Sequence, residues 1–185
     1  MKKIYFITGN KGKVIEAKNK FSEIGIEVIQ KNFGYPEIQT NSLEEVAIYG
    51  VKHIQNHFDK PFILEDAGLF IEQLNGFPGV YSAFVFYSIG CKGVLKLMEN
   101  SKNRKATFRS VFAYGEQNKK QKIFVGESNG IITQKEKGNN GFGYDPIFIP
   151  NSETRTFAEM ETGEKNIFSH RGKSLEKLID FFKIQ

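Results

Sequence analysis

The sequence predicts a mixed β-sheet with helices packed on it, an α/β or α+β fold, on three observations. Residues 1–30 alternate as strand, loop, helix and strand; two later segments alternate like the arms of an antiparallel hairpin; and a helical pattern closes the chain. The first arrangement favours parallel pairing and the second antiparallel pairing, so one sheet must hold both.

Taken in order, KIYFIT (3–8) reads as a buried strand. Residues 11–24 read as a helix, because Val14, Ala17, Phe21 and Ile24 recur near helical spacing, and IEVIQ (26–30) reads as a second strand. A second helix runs from Leu43 to about Phe58, with Asn41 or Ser42 as its cap and Pro61 as its stop. The strand PFILED (61–66) follows, then LFIEQL, the turn-rich NGFPGVYS and a helix from about Ile89 to Met98. ATFRSVFAYG (106–115) and KIFVGESNGIIT (122–133) form the hairpin through the polar EQNKK. After the glycine-rich KGNNGFGYDP come a short strand, IFI, and a last helix from about Glu164 to Phe182.

At 185 residues the chain suits one domain, 1–185, large enough to hold a cleft. With 39% hydrophobic residues, 18 Phe, 7 Tyr and no Trp, its core should be rich in Phe. No apolar run approaches a membrane span of roughly 20 residues, and no cleavage pattern follows Met1-Lys2-Lys3, so a cytoplasmic location is expected. Cys91 is the single cysteine, which excludes an intrachain disulfide and a CxxC site and leaves a packed or idle thiol. The net charge of +5 suits an anionic ligand. Lys and Arg are scattered rather than blocked, so a small phosphate compound is favoured over nucleic acid, and no stable nucleic-acid partner is expected.

Four segments carry candidate chemistry. Thr8-Gly9-Asn10-Lys11-Gly12-Lys13 lies between strand and helix, where free N–H groups and the helix dipole attract anions; it also reads as an ordinary turn with solvated lysines. Glu65-Asp66, at the end of an apolar strand, suits magnesium, with Glu37 as a candidate third carboxylate; a cap or a surface charge is the alternative. Gly141-Phe142-Gly143-Tyr144-Asp145-Pro146 offers aromatics to stack on a purine and a carboxylate for its edge, or equally a tight turn with a core Phe. In the segment 164–173, Lys165, His170 and Arg171 would project as donors. His53 and His57 stand four apart on a helix but lack a third metal ligand. There is no GxSxG nucleophile elbow.

Together and in this order, FITGNKGKVIEAKNKF, YPEIQ, LEDAGLFIEQLNGFPGVYSAFVF, GFGYDPIFIP, TFAEM and EKNIFSHRGKSLEKL resemble the inosine/xanthosine triphosphate pyrophosphatase family, over nearly the whole chain. The resemblance implies an elongated α/β fold, with a long mixed sheet, two lobes around a nucleotide cleft, and a homodimer. It implies cleavage of ITP, dITP and XTP to monophosphate and pyrophosphate with Mg2+. Thr8, Asn10 and Lys13 would contact the triphosphate within the loop 8–13, Glu37 and Asp66 would hold the metal with Glu65 close by, and Asp66 would accept the proton. The segment Phe142-Gly143-Tyr144-Asp145 would enclose the base, with Lys165, His170 and Arg171 completing the site. A related septum-inhibitor type of nucleotide pyrophosphatase, and a nucleic-acid-binding module, are the alternatives. Two positions depart from the family's pattern: Ala67 stands where many relatives have Ser, so a contact there falls to its backbone, and Gly50 stands where other branches have a phosphate-contacting Lys.

Overall fold

The computed structural model describes residues 2–36 and 38–184. β1 (Lys2–Ile7), α1 (Lys11–Ser22) and β2 (Ile26–Lys31) open the chain, and β1 and β2 pair in parallel, Lys2 opposite Ile26 through Ile7 opposite Lys31. Parallel neighbours need a crossover, which α1 supplies. The Asn10 side chain caps α1 by accepting Lys13 N–H at 3.1 Å, satisfying one of the donors that a first turn leaves open. At α2 (Leu43–Gln55) the cap is Ser42, whose hydroxyl accepts from Glu45 N at 3.3 Å.

β3 (Phe62–Ile71) is longer than the sequence suggests. It continues through Glu65 and Asp66 because β5 (Lys105–Gly115) pairs with it antiparallel at every position from 62 to 71. On its other edge β1 covers only Phe62–Leu64, and β4 (Pro78–Gly79) covers only Leu69 and Phe70. The edge of residues 65–68 therefore lies open where β1 stops. β5 and β6 (Lys122–Ile132) form the expected hairpin, and β7 (Phe148–Pro150) completes the order β2-β1-β3-β5-β6-β7.

Two helices differ from expectation. α3 (Ser82–Leu97) starts at Ser82 rather than near Ile89, with a break at Gly90 (φ 61°). Its first half, SAFVFYSI, carries no polar stripe, so it is the packing of Val85 and of Phe86, edge-on to Tyr144 with centroids 5.3 Å apart, that settles it as a helix. The closing helix is two, α4 (Thr162–Phe168) and α5 (His170–Lys183), parted at Ser169, where ψ is 151°. The Ser169 hydroxyl caps α5 by accepting from Gly172 N at 2.9 Å.

Strand alternation sends successive side chains to opposite faces. Ile63, Phe112 and Tyr114 meet α1 (Val14, Ala17, Phe21) and α5 (Leu175, Leu178, Ile179) on one face. Phe62, Leu64, Val111 and Ala113 meet α2 (Leu43, Ala47, Val51, Ile54) on the other. A third cluster joins Leu69, Phe108, Phe148 and Phe157 to Val94 of α3 and to Met98, which caps its end. Six phenylalanines, Phe6, Phe21, Phe62, Phe112, Phe148 and Phe157, are fully buried, each contributing roughly 1.5–3 kcal/mol by removal from water. At Gly126 of β6 an added Cβ would stand 2.1 Å from His170 O and 2.4 Å from Ser174 N, so α5 begins directly on the sheet.

Candidate active site

The carboxyl end of β1, the open edge of β3 and the first turn of α1 converge on a cleft of about 230 Å³. Crevices beyond the carboxyl ends of parallel strands are where open sheets bind ligands. Asn10, Lys13, Asp66, Ala67 and Gly68 line it together with Phe142, Gly143, Tyr144, Asp145, His170 and Arg171, and so do the aromatics Tyr81, Phe84, Phe86 and Tyr87. The loop before α1 is organised by Thr8, whose hydroxyl accepts Asn10 N–H at 3.1 Å. Lys11 and Gly9 are exposed beside it.

Glu65 and Asp66, adjacent in sequence, fall on opposite faces of β3. Glu65 shares the face of Ile63 and is buried between α1 and α5: Lys13 Nζ lies 2.7 Å from its Oε2, Arg171 Nε donates to Oε1 at 3.0 Å, and Ser110 Oγ donates to the same oxygen at 2.7 Å. Burial alone would raise this carboxyl, but Arg171 and Lys13 outweigh it and hold it at about 2. As arranged, Glu65 is a counter-ion for these cations rather than a group open to a metal. Asp66 is half-buried on the cleft wall, accepting Ala67 N–H at 3.0 Å. Glu37 lies outside the described residues, and among those described no three His, Cys, Asp or Glu side chains group as a metal site.

Beneath the cleft floor lies a charge network that the sequence did not disclose. Glu16, on α1, accepts from Lys165 Nζ and from Arg171 Nη1, each at 2.7 Å, and Lys165 also donates to Asp145 Oδ2 at 2.6 Å. Three carboxylates, Glu16, Glu65 and Asp145, thus face three cations, Lys13, Lys165 and Arg171. Despite burial, Lys165 and Arg171 keep Glu16 low, whereas burial and the neighbouring Glu16 push Asp145 up. Glu16 is the one acid in a helix that otherwise carries Lys11, Lys13, Lys18 and Lys20, and a lone acid on so basic a helix is the sequence signal of a charged partner elsewhere in the chain.

Other predicted residues sit differently from the expectation of projecting donors. His170 is buried and stacked on Phe108, with centroids 4.5 Å and planes 6° apart, and its Nδ1 has no partner among the described residues. Burial, then the charges of Arg171 and Lys165, hold it well below its usual range and therefore neutral. Tyr144 is core, its hydroxyl donating to Ser82 O at 3.1 Å. Gly50 is buried under Tyr35, whose Cε2 would stand 2.8 Å from an added Cβ, so no side chain projects there, and Lys52 is exposed. Cys91 packs below Gly143 with its thiol pushed up to about 12, chiefly by burial. A larger hollow, about 720 Å³, lies near Met98 and Gln134. It holds none of the predicted residues, and its Arg104 is engaged by the carbonyls of Met98, Ile132 and Thr133.

Residues 4–181 match the Ham1 family. The chain is 51% identical over 183 residues to the dITP/XTP pyrophosphatase of Thermococcus kodakarensis, covering 98% of this chain and 97% of that one. It is 50% identical over 181 residues to the dITP/XTP pyrophosphatase of Methanopyrus kandleri, covering 98% and 96%. Among solved structures it is similar to a HAM1 protein from Coxiella burnetii, with a TM-score of 0.84 and 32% identity over 100% of both chains. It is also similar to the Staphylococcus aureus Ham1 protein, with a TM-score of 0.84 and 30% identity over 98% of each.

Proposed function

The chain belongs to the Ham1 family, and we propose that it hydrolyses inosine, deoxyinosine and xanthosine triphosphates to the monophosphate and pyrophosphate, clearing them from the cytoplasmic nucleotide pool. The observation that carries this reading is the position of Asp66 on the wall of the same cleft that Asn10, Lys13, Phe142 and Arg171 line. In the arrangement we propose, the triphosphate tail meets Asn10 and Lys13, the purine meets Phe142, and the reacting phosphorus lies beside Asp66.

Asp66 orients a water and takes its proton as the oxygen attacks the α-phosphorus; the bond to the bridging oxygen breaks, and pyrophosphate leaves. Lys13 and the N–H groups of the α1 turn stabilise the charge that develops on the leaving group. The carboxylate of Asp66 on the cleft wall fits magnesium, which binds through one or two carboxylates plus substrate phosphates and keeps several waters. Asp66 would hold it, and Glu37 is the second ligand we propose. When bound it neutralises phosphate charge and polarises the phosphoryl oxygens.

Base choice follows from donors. Arg171 Nε and one Nη1 proton are held by carboxylates, which leaves Arg171 Nη2, on a side chain that lines the cleft, for a 6-oxo acceptor, with Lys165 holding Asp145 and Glu16 beneath it. Adenine presents a 6-amino donor there instead, stranding a buried donor at about 1–3 kcal/mol per group.

We also propose a homodimer, seated on the exposed face of α3. The test of function is to incubate the protein with magnesium and ITP, dITP, XTP, GTP and ATP, measuring monophosphate and pyrophosphate. ITP and XTP should be turned over with far higher kcat/KM than ATP, EDTA should abolish turnover and excess magnesium restore it. Equal kcat/KM for ITP and ATP overturns the substrate reading, and full activity in metal-free buffer overturns the metal.

A further inference from the structure

The ring of Phe142 lies against Gly12, in the first turn of α1. A Cβ on Gly12 would stand 2.4 Å from Phe142 Cδ1 and 2.7 Å from Cε1, far inside contact distance, so the two meet only because position 12 has no side chain. Other groups hold the ring from its remaining sides. Lys165 Nζ is 4.9 Å and Arg171 Cζ 5.2 Å from its centroid, and its backbone N–H donates to Asp145 Oδ2 at 2.8 Å. Gly141 and Gly143, at φ 74° and 64°, bracket Phe142 in a loop outside any ladder, so these contacts decide where the ring rests.

Gly12 needs no such backbone freedom itself. It sits in a helix without a positive φ, where glycine is less favourable than alanine. Nothing in the helix explains a glycine there; the ring does.

We propose that Gly12 is a positioning residue that seats Phe142 on the phosphate-binding turn, joining the loop that reads the base to the loop that reads the phosphates through one direct contact. This rests on the purine triphosphate reading above, which gives the two loops their ligands. Phosphates that order the first turn of α1 thereby also fix the ring on which the base lies. A side chain at position 12 breaks this link by displacing the ring, and it leaves Asp66 untouched.

The test compares wild type, Gly12→Ala, Phe142→Ala and the double variant, by urea unfolding and by kinetics with ITP and magnesium. Gly12→Ala should raise KM about tenfold with kcat changed less than about twofold, and in the Phe142→Ala background it should add almost nothing. Unfolding should likewise show non-additive effects of the two substitutions, a readout that needs no substrate. An unchanged KM in Gly12→Ala, or the same rise with and without the Phe142 ring, overturns the proposal, because position 12 would then act without the ring. A wild type that turns over no purine nucleoside triphosphate overturns the underlying reading and this role with it, whereas additive unfolding effects in an active enzyme overturn this role alone.

Discussion

Asp66 and Glu65 are chemically alike and one bond apart, yet β3 turns one to the cleft and buries the other against Arg171 and Lys13. Asp66→Asn should therefore keep the fold and much of the nucleotide affinity while lowering kcat at least ~100-fold, since an amide fills the same volume but accepts no proton. Pyrophosphate release and a melting curve check this, and near wild-type turnover removes Asp66 from the role. His170 makes a prediction about pH. It is neutral in the fold with its pKa held well below 6.5, so the unfolded chain takes up a proton that the folded chain refuses. Stability from this group is present in full above about 6.5 and is lost as pH falls below that value. Between pH 6.5 and 5.5 wild type should lose up to about 1 kcal/mol more than His170→Asn, measured by urea unfolding. Parallel losses in the two proteins would show that His170 is not the group responsible.

At the scale of elements, α5 delivers His170 and Arg171 to the cleft by beginning on β6, and Gly126 makes that approach possible. The obstacle to a Cβ there is backbone, His170 O and Ser174 N, which cannot swing aside as a side chain end can. Gly126→Ala should cost roughly 1–3 kcal/mol of stability as an overpacking change, and it should raise KM for ITP by shifting Arg171. Urea unfolding with a parallel KM measurement tests it; a stability within error of wild type would mean that α5 yields freely. The hairpin of β5 and β6 was legible from alternation because each arm has its own two-residue period. The start of α3 was not legible, since its aromatic run fits no single period and its helix is settled by Tyr144 from a distant loop.

For the molecule as a whole, charge and apolar surface are segregated. The chain carries +5 overall, yet residues 73–91 hold no Asp, Glu, Lys, Arg or His. That stretch exposes Phe77, Tyr81, Phe84, Tyr87 and Ile89, with Phe84 at 73% and Tyr87 at 84%. Depletion of charge with enrichment of aromatics marks the centre of an interface, and an uncharged patch is where two copies of a cationic chain meet without repulsion. The five side chains offer on the order of 500 Å², a large part of the ~800 Å² per partner in a standard interface. Sedimentation should show a dimer for wild type and for the control Ile131→Glu, and a monomer for Phe84→Glu/Tyr87→Glu. A monomeric wild type, or a dimer that survives both glutamates, would overturn this surface. By itself the sequence determined the order of elements, the mixed sheet and the segments that meet at the cleft, because periodicity, caps and turn residues act over a few neighbouring positions. Only the tertiary structure decided that Glu65 serves Lys13 and Arg171 while Asp66 faces the cleft, that Glu16 joins Lys165 to Arg171, and that Phe142 rests on Gly12. Those contacts join residues as far as 155 positions apart, and which partners meet there depends on how the sheet places its strands and helices.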